Sequence, residues 1–442
     1  MEMFSKKDIK KLILPLIVEQ FLLVAVGIAD TMMISSVGEA AVSGVSLVDN
    51  INILIINLFT ALATGGAVVA GHALGERDPG KASESADQLF LFVAAASAAV
   101  MLLILAGHTW ILTHVFGSIE ADVMSDAEVY MLITAFSIPF IAIYNAGAAI
   151  FRSMGDSKTS MKVSLLMNGL NIAGNALLIY GFGMGVEGAA IPTLVSRVIA
   201  AVIIYSLLRN QDRIIHVGRR PALHFHKNTI SRICYIGIPN GIENSFFQLG
   251  KIMVLSLVSS FGTVAITANA VASNISTFEV LPGMAMGNAI VTVVSQCTGA
   301  GRYDEARRYT KLIMKYIYFS MWCVNIFTFL CIPLILKAYH LSDATAVVAR
   351  QIMTYYAVCV MIHWPLSFSI PNALRAAGDV KFTMVVSLVS MWVFRVGFSY
   401  ILGRYLGWGV FGVWVAMTID WVFRAVLFMW RYLSGRWEKI KF

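Results

Sequence analysis

Ionisable and amide side chains stand inside long apolar stretches of this chain, where they are costly and mark ion or substrate chemistry. Asp30 is the first, in the outer half of the first stretch, with Gly27 and Ala29 beside it. A carboxyl in a low-dielectric cavity can load and release a proton or hold Na⁺; it can also pin a helix through hydrogen bonds. Asn168, Asn171 and Asn175 fall at i, i+3 and i+7, one face of a helix. Amides on one stripe face a polar interior, as cation ligands or as an inter-helix hydrogen-bond ladder. Glu19 lies about three turns before Asp30, on nearly the same face. The second half carries Glu243, Lys251, Glu279, His363, Arg395, Asp420 and Arg424 within or beside apolar stretches. A cation at the depth of Arg395 must find an acid, and Glu243 is its expected partner, with Glu279 the other candidate. Asp420 and Arg424 form an i,i+4 pair that reads as structural. His363 is either a titrating group or a ring packed beside Trp364.

The elements that position these groups are transmembrane helices. Apolar residues make up 58% of the chain and charged residues 13%, against about 25% charged in a soluble domain. Twelve stretches of about 20 residues can each span a bilayer. Their approximate bounds are 12–36, 47–71, 89–112, 128–151, 162–184, 188–208, 233–258, 268–294, 312–337, 351–374, 382–405 and 409–430. The two halves repeat at an offset of 224 residues, with 13 identities over the 68 positions 15–82. Pro15 answers Pro239, Glu19 answers Glu243, and Gly38 answers Gly262. Further on, Arg152-Ser-Met-Gly-Asp-Ser-Lys158 answers Arg375-Ala-Ala-Gly-Asp-Val-Lys381. Such duplication in an apolar chain is the pattern of a secondary transporter, whose two bundles expose a central site to each side in turn. The expected fold is an all-α polytopic membrane protein with two repeated six-helix bundles around a central cavity. Its expected lobes are 1–208 and 233–442, joined by the linker 209–232.

The net charge of +8 does not imply nucleic-acid binding. Basic residues gather in alternate connections, which hold 26 of the 33 Lys and Arg residues. The positive-inside rule then puts both termini in the cytoplasm. The basic N-terminus is followed by no small-residue cleavage site, so the first stretch reads as retained. Five scattered cysteines read as packing residues, not as disulfides or metal ligands. No HExxH, GxSxG, Walker or Asp-rich diphosphate motif occurs, so no enzyme chemistry is visible and no cofactor is expected.

Ser295-Gln-Cys-Thr-Gly-Ala-Gly301 resembles the Q-x-x-G-A-G element of the multidrug and toxic compound extrusion (MATE) family. Gly27-Ile-Ala-Asp-Thr-Met32, Phe151-Arg-Ser-Met-Gly-Asp156 and Gly181-Phe-Gly-Met-Gly-Val-Glu-Gly-Ala-Ala190 agree in order and spacing. The resemblance makes Asp30 the carboxylate that binds the coupling ion, H⁺ or Na⁺. It implies a cation site from Asp30, Asn145, Asn171, Asn175 and Thr193, with Na⁺ held at Asp30, Asn171 and Asn175. Asn175 stands where that pattern has an Asp, which lowers the negative charge of the site. In the second half, Phe247 and the stretch from His363 stand where some members carry acids. Glu19, Asn168, Glu243, Lys251, Glu279, His363 and Arg395 remain as substrate-facing or structural polar groups.

The reading that results is a monomeric cation-coupled antiporter in the cytoplasmic (inner) membrane. Its expected partners are the bilayer and small organic substrates, amphipathic and cationic, exported by alternating access. The alternative is a flippase for lipid-linked precursors, which Lys251 and Arg395 would suit. A multispan transferase comes third and lacks its motif. An ion channel fits less well, because Asp30 answers Val254 in the repeat.

Overall fold

The structure is a computed structural model that describes residues 2–116, 120–218 and 224–440, and long helices dominate them. The first six are α1 (Lys6–Ser35), α2 (Glu39–Gly75), α3 (Pro79–Phe116), α4 (Ala121–Ser153), α5 (Ser157–Gly181) and α6 (Glu187–Leu208). The second six are α7 (Lys227–Ser259), α8 (Thr263–Gly299), α9 (Tyr303–Ala338), α10 (Asp343–Ala376), α11 (Val380–Tyr405) and α12 (Gly409–Leu433). Among the described residues, eleven helices are long and apolar enough to cross a bilayer. The one below that mark is α7, which the sequence reading counts as a span. Asn240, Glu243, Asn244, Gln248 and Lys251 interrupt its apolar run.

Large apolar side chains point outward from these helices. Leu102, Leu103 and Trp110 of α3 and Phe319, Phe327 and Leu330 of α9 are exposed. So much apolar surface suits hydrocarbon and not water. The chain is a multi-pass membrane protein.

Helix ends explain themselves locally. Ser5 and Asp8 form a reciprocal capping box at the start of α1: Asp8 N–H donates to Ser5 Oγ (3.2 Å) and Ser5 N–H to Asp8 Oδ2 (3.0 Å). Asp156 caps α5 by accepting from Thr159 N–H at 3.1 Å. Helices α5, α10 and α11 each contain π-helical turns, at Leu177–Gly181, Pro365–Ser369, Ser390–Gly397 and Ser399–Tyr405. Such turns redirect side chains inside a helix and are frequent at functional sites.

The chain divides into two compact units, Phe4–Gly241 and Ile242–Phe442 with Met1–Met3. The first holds α1–α6 and the opening turns of α7. Its α2 and α4 pack through the small residues Ala63, Ala67 and Ala149, which let backbones approach. Within 209–232, residues 219–223 lie outside the described residues. The rest of that stretch docks on α3: Gly218 N–H donates to Asp87 (3.1 Å), Gln88 donates to the His224 carbonyl (3.0 Å), and His226 pairs with Glu84 (2.7 Å). The second unit holds the remainder of α7 and α8–α12.

Candidate functional site: a carboxylate among amides

In the first unit α1, α5 and α6 converge on Asp30. Gly174 makes this possible, because a Cβ there would lie 2.7 Å from Pro192 Cβ. With no side chain at 174, α5 and α6 approach closely, and Asn171 reaches Thr193. Asn175 Nδ2 donates to Asp30 Oδ1 at 2.9 Å. The Asn171 amide fits best with its nitrogen donating to both Asp30 oxygens (3.1 and 3.2 Å) and its oxygen accepting from Thr193 Oγ1 (3.0 Å). Asn175 Oδ1 is buried and has no hydrogen-bond partner. A carboxylate, an uncommitted amide oxygen and a hydroxyl therefore meet at one place, and oxygen donors of this kind suit Na⁺ or a proton.

A cavity of about 140 Å³ opens beside these groups, lined among others by Gly27, Asp30, Asp49, Tyr130, Asn175 and Thr193. The second wall comes from α2 and α4. Tyr130 O–H donates to Asp49 Oδ1 (3.3 Å), and Asn52 Nδ2 donates to Thr134 Oγ1 (3.4 Å). Arg197 of α6 donates to Ser137 Oγ at 2.7 Å and lies within electrostatic reach of Asp49 and Asp30. Two carboxylates against one guanidinium leave the cavity with one formal negative charge.

The expected set is thus brought together at Asp30, Asn171, Asn175 and Thr193, but not at Asn145. That residue is half-buried and donates to Thr60 Oγ1 at 3.2 Å. It stands 15 residues past Tyr130 on α4, about 22 Å along the helix. The α4 group at the cavity is Tyr130 instead. Asn168 bonds Ser164 one turn back (3.3 Å) and does not reach Asp30.

Asp49, Tyr130 and Arg197 escaped the sequence reading. Tyr130 looks like any packed aromatic. Arg197, however, is a charge within the sixth apolar stretch, four residues after Thr193 and so on its face. The rule that singled out Asp30 applies equally to it. Asp49 opens a polar run with Asn50 and Asn52 at the start of the second stretch.

The glutamates of the repeat serve the Arg-x-x-Gly-Asp turns. Glu19 accepts from Ser160 Oγ at 3.3 Å and lies 3.9 Å from Arg152. Glu243 takes Arg375 at 2.6 Å. The expected Arg395–Glu243 pair is therefore wrong. Glu243 is already engaged, and Arg395 faces Asp420 on the adjacent α12 at 3.7 Å. Asp420 also meets Arg424 (3.4 Å), as the i,i+4 spacing suggests. Glu279 is buried on α8, and among the described residues its carboxylate has no hydrogen bond. The His363 ring is half-buried and likewise has none. Lys251 is exposed, its Nζ 5.3 Å from the Phe247 ring.

Relatives match this chain in sequence, and solved structures match it in fold, over nearly its whole length. An uncharacterized transporter of Bacillus subtilis, YisQ, is 29% identical over 96% of this chain and 93% of its own. A probable multidrug resistance protein of Thermotoga maritima, NorM, is 26% identical over 98% and 93%. Among solved structures, MATE in the bent conformation superposes with a TM-score of 0.89 at 21% identity, covering 97% of this chain and 95% of that one. An outward-facing multidrug resistance MATE transporter of the MOP superfamily gives 0.90 at 21%, covering 99% and 97%. The MatE family model matches twice, over residues 15–177 and 239–401. The two matches fall one in each repeat and together cover most of the chain, which therefore belongs to the MatE family of membrane transporters.

Proposed function

We propose that this chain is a cation-coupled antiporter that exports amphipathic, cationic organic compounds by alternating access. The observation that carries the reading is Asp30, a carboxylate held by two amide nitrogens beside a cavity. The coupling ion is a second substrate, H⁺ or Na⁺. When it arrives, Asp30 exchanges amide donors for the cation, and the oxygens of Asn171, Asn175 and Thr193 turn to it. That exchange loosens the links from α1 to α5. The cavity then changes shape, and organic substrate and ion compete for it. The relatives named as probable multidrug resistance proteins support drug export.

In this proposal the protein is a monomer with both termini in the cytoplasm. Its two repeats, 1–208 and 233–442, are joined by 209–232 and expose the site to the two sides of the inner membrane in turn. The basic connections support that orientation.

The test is efflux of a cationic dye from inverted vesicles with pH and Na⁺ gradients imposed separately. Asp30→Asn should abolish coupled efflux in a folded, inserted protein, because the amide resembles the protonated acid but cannot cycle. Wild-type rates in this variant at matched expression would remove Asp30 from the mechanism.

A further inference from the structure

The second unit gathers cations where apolar packing would be expected. Lys251 of α7, Arg395 of α11 and Arg424 of α12 all approach the Phe247 ring, at 5.3, 5.4 and 5.4 Å. The Arg424 guanidinium also sits 4.9 Å from the Phe368 ring. Gly250 lets α7 approach α11 here, since a Cβ would fall 2.4 Å from Met391 Cε. Among the described residues the one carboxylate paired with these cations is Asp420, 3.7 Å from Arg395 and 3.4 Å from Arg424. One Asp420 oxygen is also taken by the Ser390 hydroxyl. Three cations against one carboxylate leave a formal excess of two positive charges.

The donors in this region are not used up. Nε of Arg395 and Nε1 of Trp421 are buried with no hydrogen-bond partner, and Nε of Arg424 meets Asp420 Oδ1 only as an ion pair at 3.4 Å. Arg424 is only 2% exposed and Trp421 only 3%. Among the described residues of the cluster the buried acceptor without a hydrogen bond is Asp420 Oδ2, so donors without acceptors outnumber it. Each buried donor left unmade costs free energy that a ligand acceptor would recover. Aromatic rings wall the region. Phe247 and Phe368 have centroids 6.2 Å apart, Trp364 stacks on Phe368 at 5.1 Å, and Trp421 meets Phe368 edge-on at 6.1 Å. Exposed Lys251 gives the cluster an open side.

We infer that this cluster is a binding subsite for the anionic head of an amphiphile: a carboxylate, sulfonate or phosphate ester on an apolar or aromatic body. Lys251 and Arg395 hold the charge, and Phe247, Phe368 and Trp421 hold the body. The inference extends the substrate class of the proposed transporter to compounds with a negative group, and rests on that reading. It is tested by binding alone, so its failure is distinct from failure of the Asp30 experiment.

The probes are dansylglycine and its uncharged amide, titrated by fluorescence into the full chain in dodecylmaltoside. The carboxylate should bind about tenfold more tightly than the amide, the scale of a charge-assisted hydrogen bond. Lys251→Gln, an exposed change that leaves the fold intact, and Arg395→Gln should each cut that ratio severalfold while leaving amide binding nearly unchanged. Equal binding of the two probes by the wild type would overturn the subsite. So would an unchanged ratio in Lys251→Gln and Arg395→Gln. Nanodiscs separate the sources of the anion. Loss of carboxylate binding in phosphatidylglycerol but not phosphatidylcholine discs assigns the subsite to a lipid headgroup. Binding in both assigns it to a soluble amphiphile, and binding in neither rejects it.

Discussion

Arg375 Nη2 donates to Glu243 Oε1 at 2.6 Å, and the repeat counterparts Arg152 and Glu19 lie 3.9 Å apart with Ser160 bonded to both. The turn that carries each arginine also carries an aspartate, and these too have matching roles. Asp156 takes Arg213 (3.2 Å) after α6, and Asp379 takes Arg431 (2.6 Å) at the end of α12. Each repeat thus ties its first helix to the turn between its fourth and fifth, and that turn to an arginine that follows or ends its sixth. The Arg-x-x-Gly-Asp spacing is explained by these two ties.

The Glu243–Arg375 pair is almost wholly buried, so either neutral substitution leaves an uncompensated charge. Glu243→Gln and Arg375→Gln should each cost about 3–5 kcal/mol, and the double substitution should recover most of it. Thermal unfolding in detergent measures this. The same change at Glu19 should cost less, because Ser160 still bonds the amide and Arg152 is farther away. Singles as stable as the wild type would remove the tie in the second unit.

Arg395 supplies a second double-mutant cycle. Its coupling to Asp420 should be measurable by thermal unfolding, since the aspartate is fully buried between two arginines. Its coupling to Glu243 should be near zero, because Glu243 is spent on Arg375. The reverse pattern of couplings would contradict the geometry.

The contrast between these pairs shows what was legible in the sequence. Helix number and repeat followed from apolar length and offset, which need no tertiary knowledge. The stripe of Asn171 and Asn175 was legible because the amides share a helical face, and a polar stripe in an apolar helix must face protein; its grouping with Asp30 and Thr193 came from the family resemblance. The partner of Arg395 was not legible, because its position answers Asn171 in the repeat and no acid is duplicated there. Applying the repeat to both members of the Glu19–Arg152 pair would have assigned Glu243 to Arg375 and left Asp420 for Arg395. Tyr130 stayed hidden because an aromatic on an apolar helix carries no signal of its hydroxyl partner. The near approach of Asp49 and Arg197 depends on α2, α4 and α6 meeting, which spacing within one helix does not encode.

Asn175 offers a change of ion preference. Its Nδ2 now donates to Asp30 at 2.9 Å. Asn175→Asp replaces that donor with a second carboxylate, and two adjacent carboxylates need a cation between them. Calorimetric Na⁺ binding and Na⁺-stimulated efflux should both increase. No change in either would count against Na⁺ lying between Asp30 and Asn175.

Arg197 gives the last prediction. Its guanidinium is the positive charge within reach of Asp49 and Asp30, while Ser137 holds its position at 2.7 Å. In the proposed mechanism it would keep the cavity from attracting a cation so strongly that release becomes slow. Arg197→Gln keeps a donor for Ser137 but leaves both carboxylates without their counter-charge. Na⁺ should then bind roughly tenfold more tightly, the scale of one nearby charge in a partly polar medium. Dye efflux should slow, because the ion leaves less readily. A purely structural arginine would behave otherwise: its loss would lower the unfolding temperature and weaken Na⁺ binding along with transport. Calorimetry, efflux and thermal unfolding on one preparation separate the two, and Na⁺ affinity that is unchanged or reduced in Arg197→Gln would end the idea that Arg197 sets ion release.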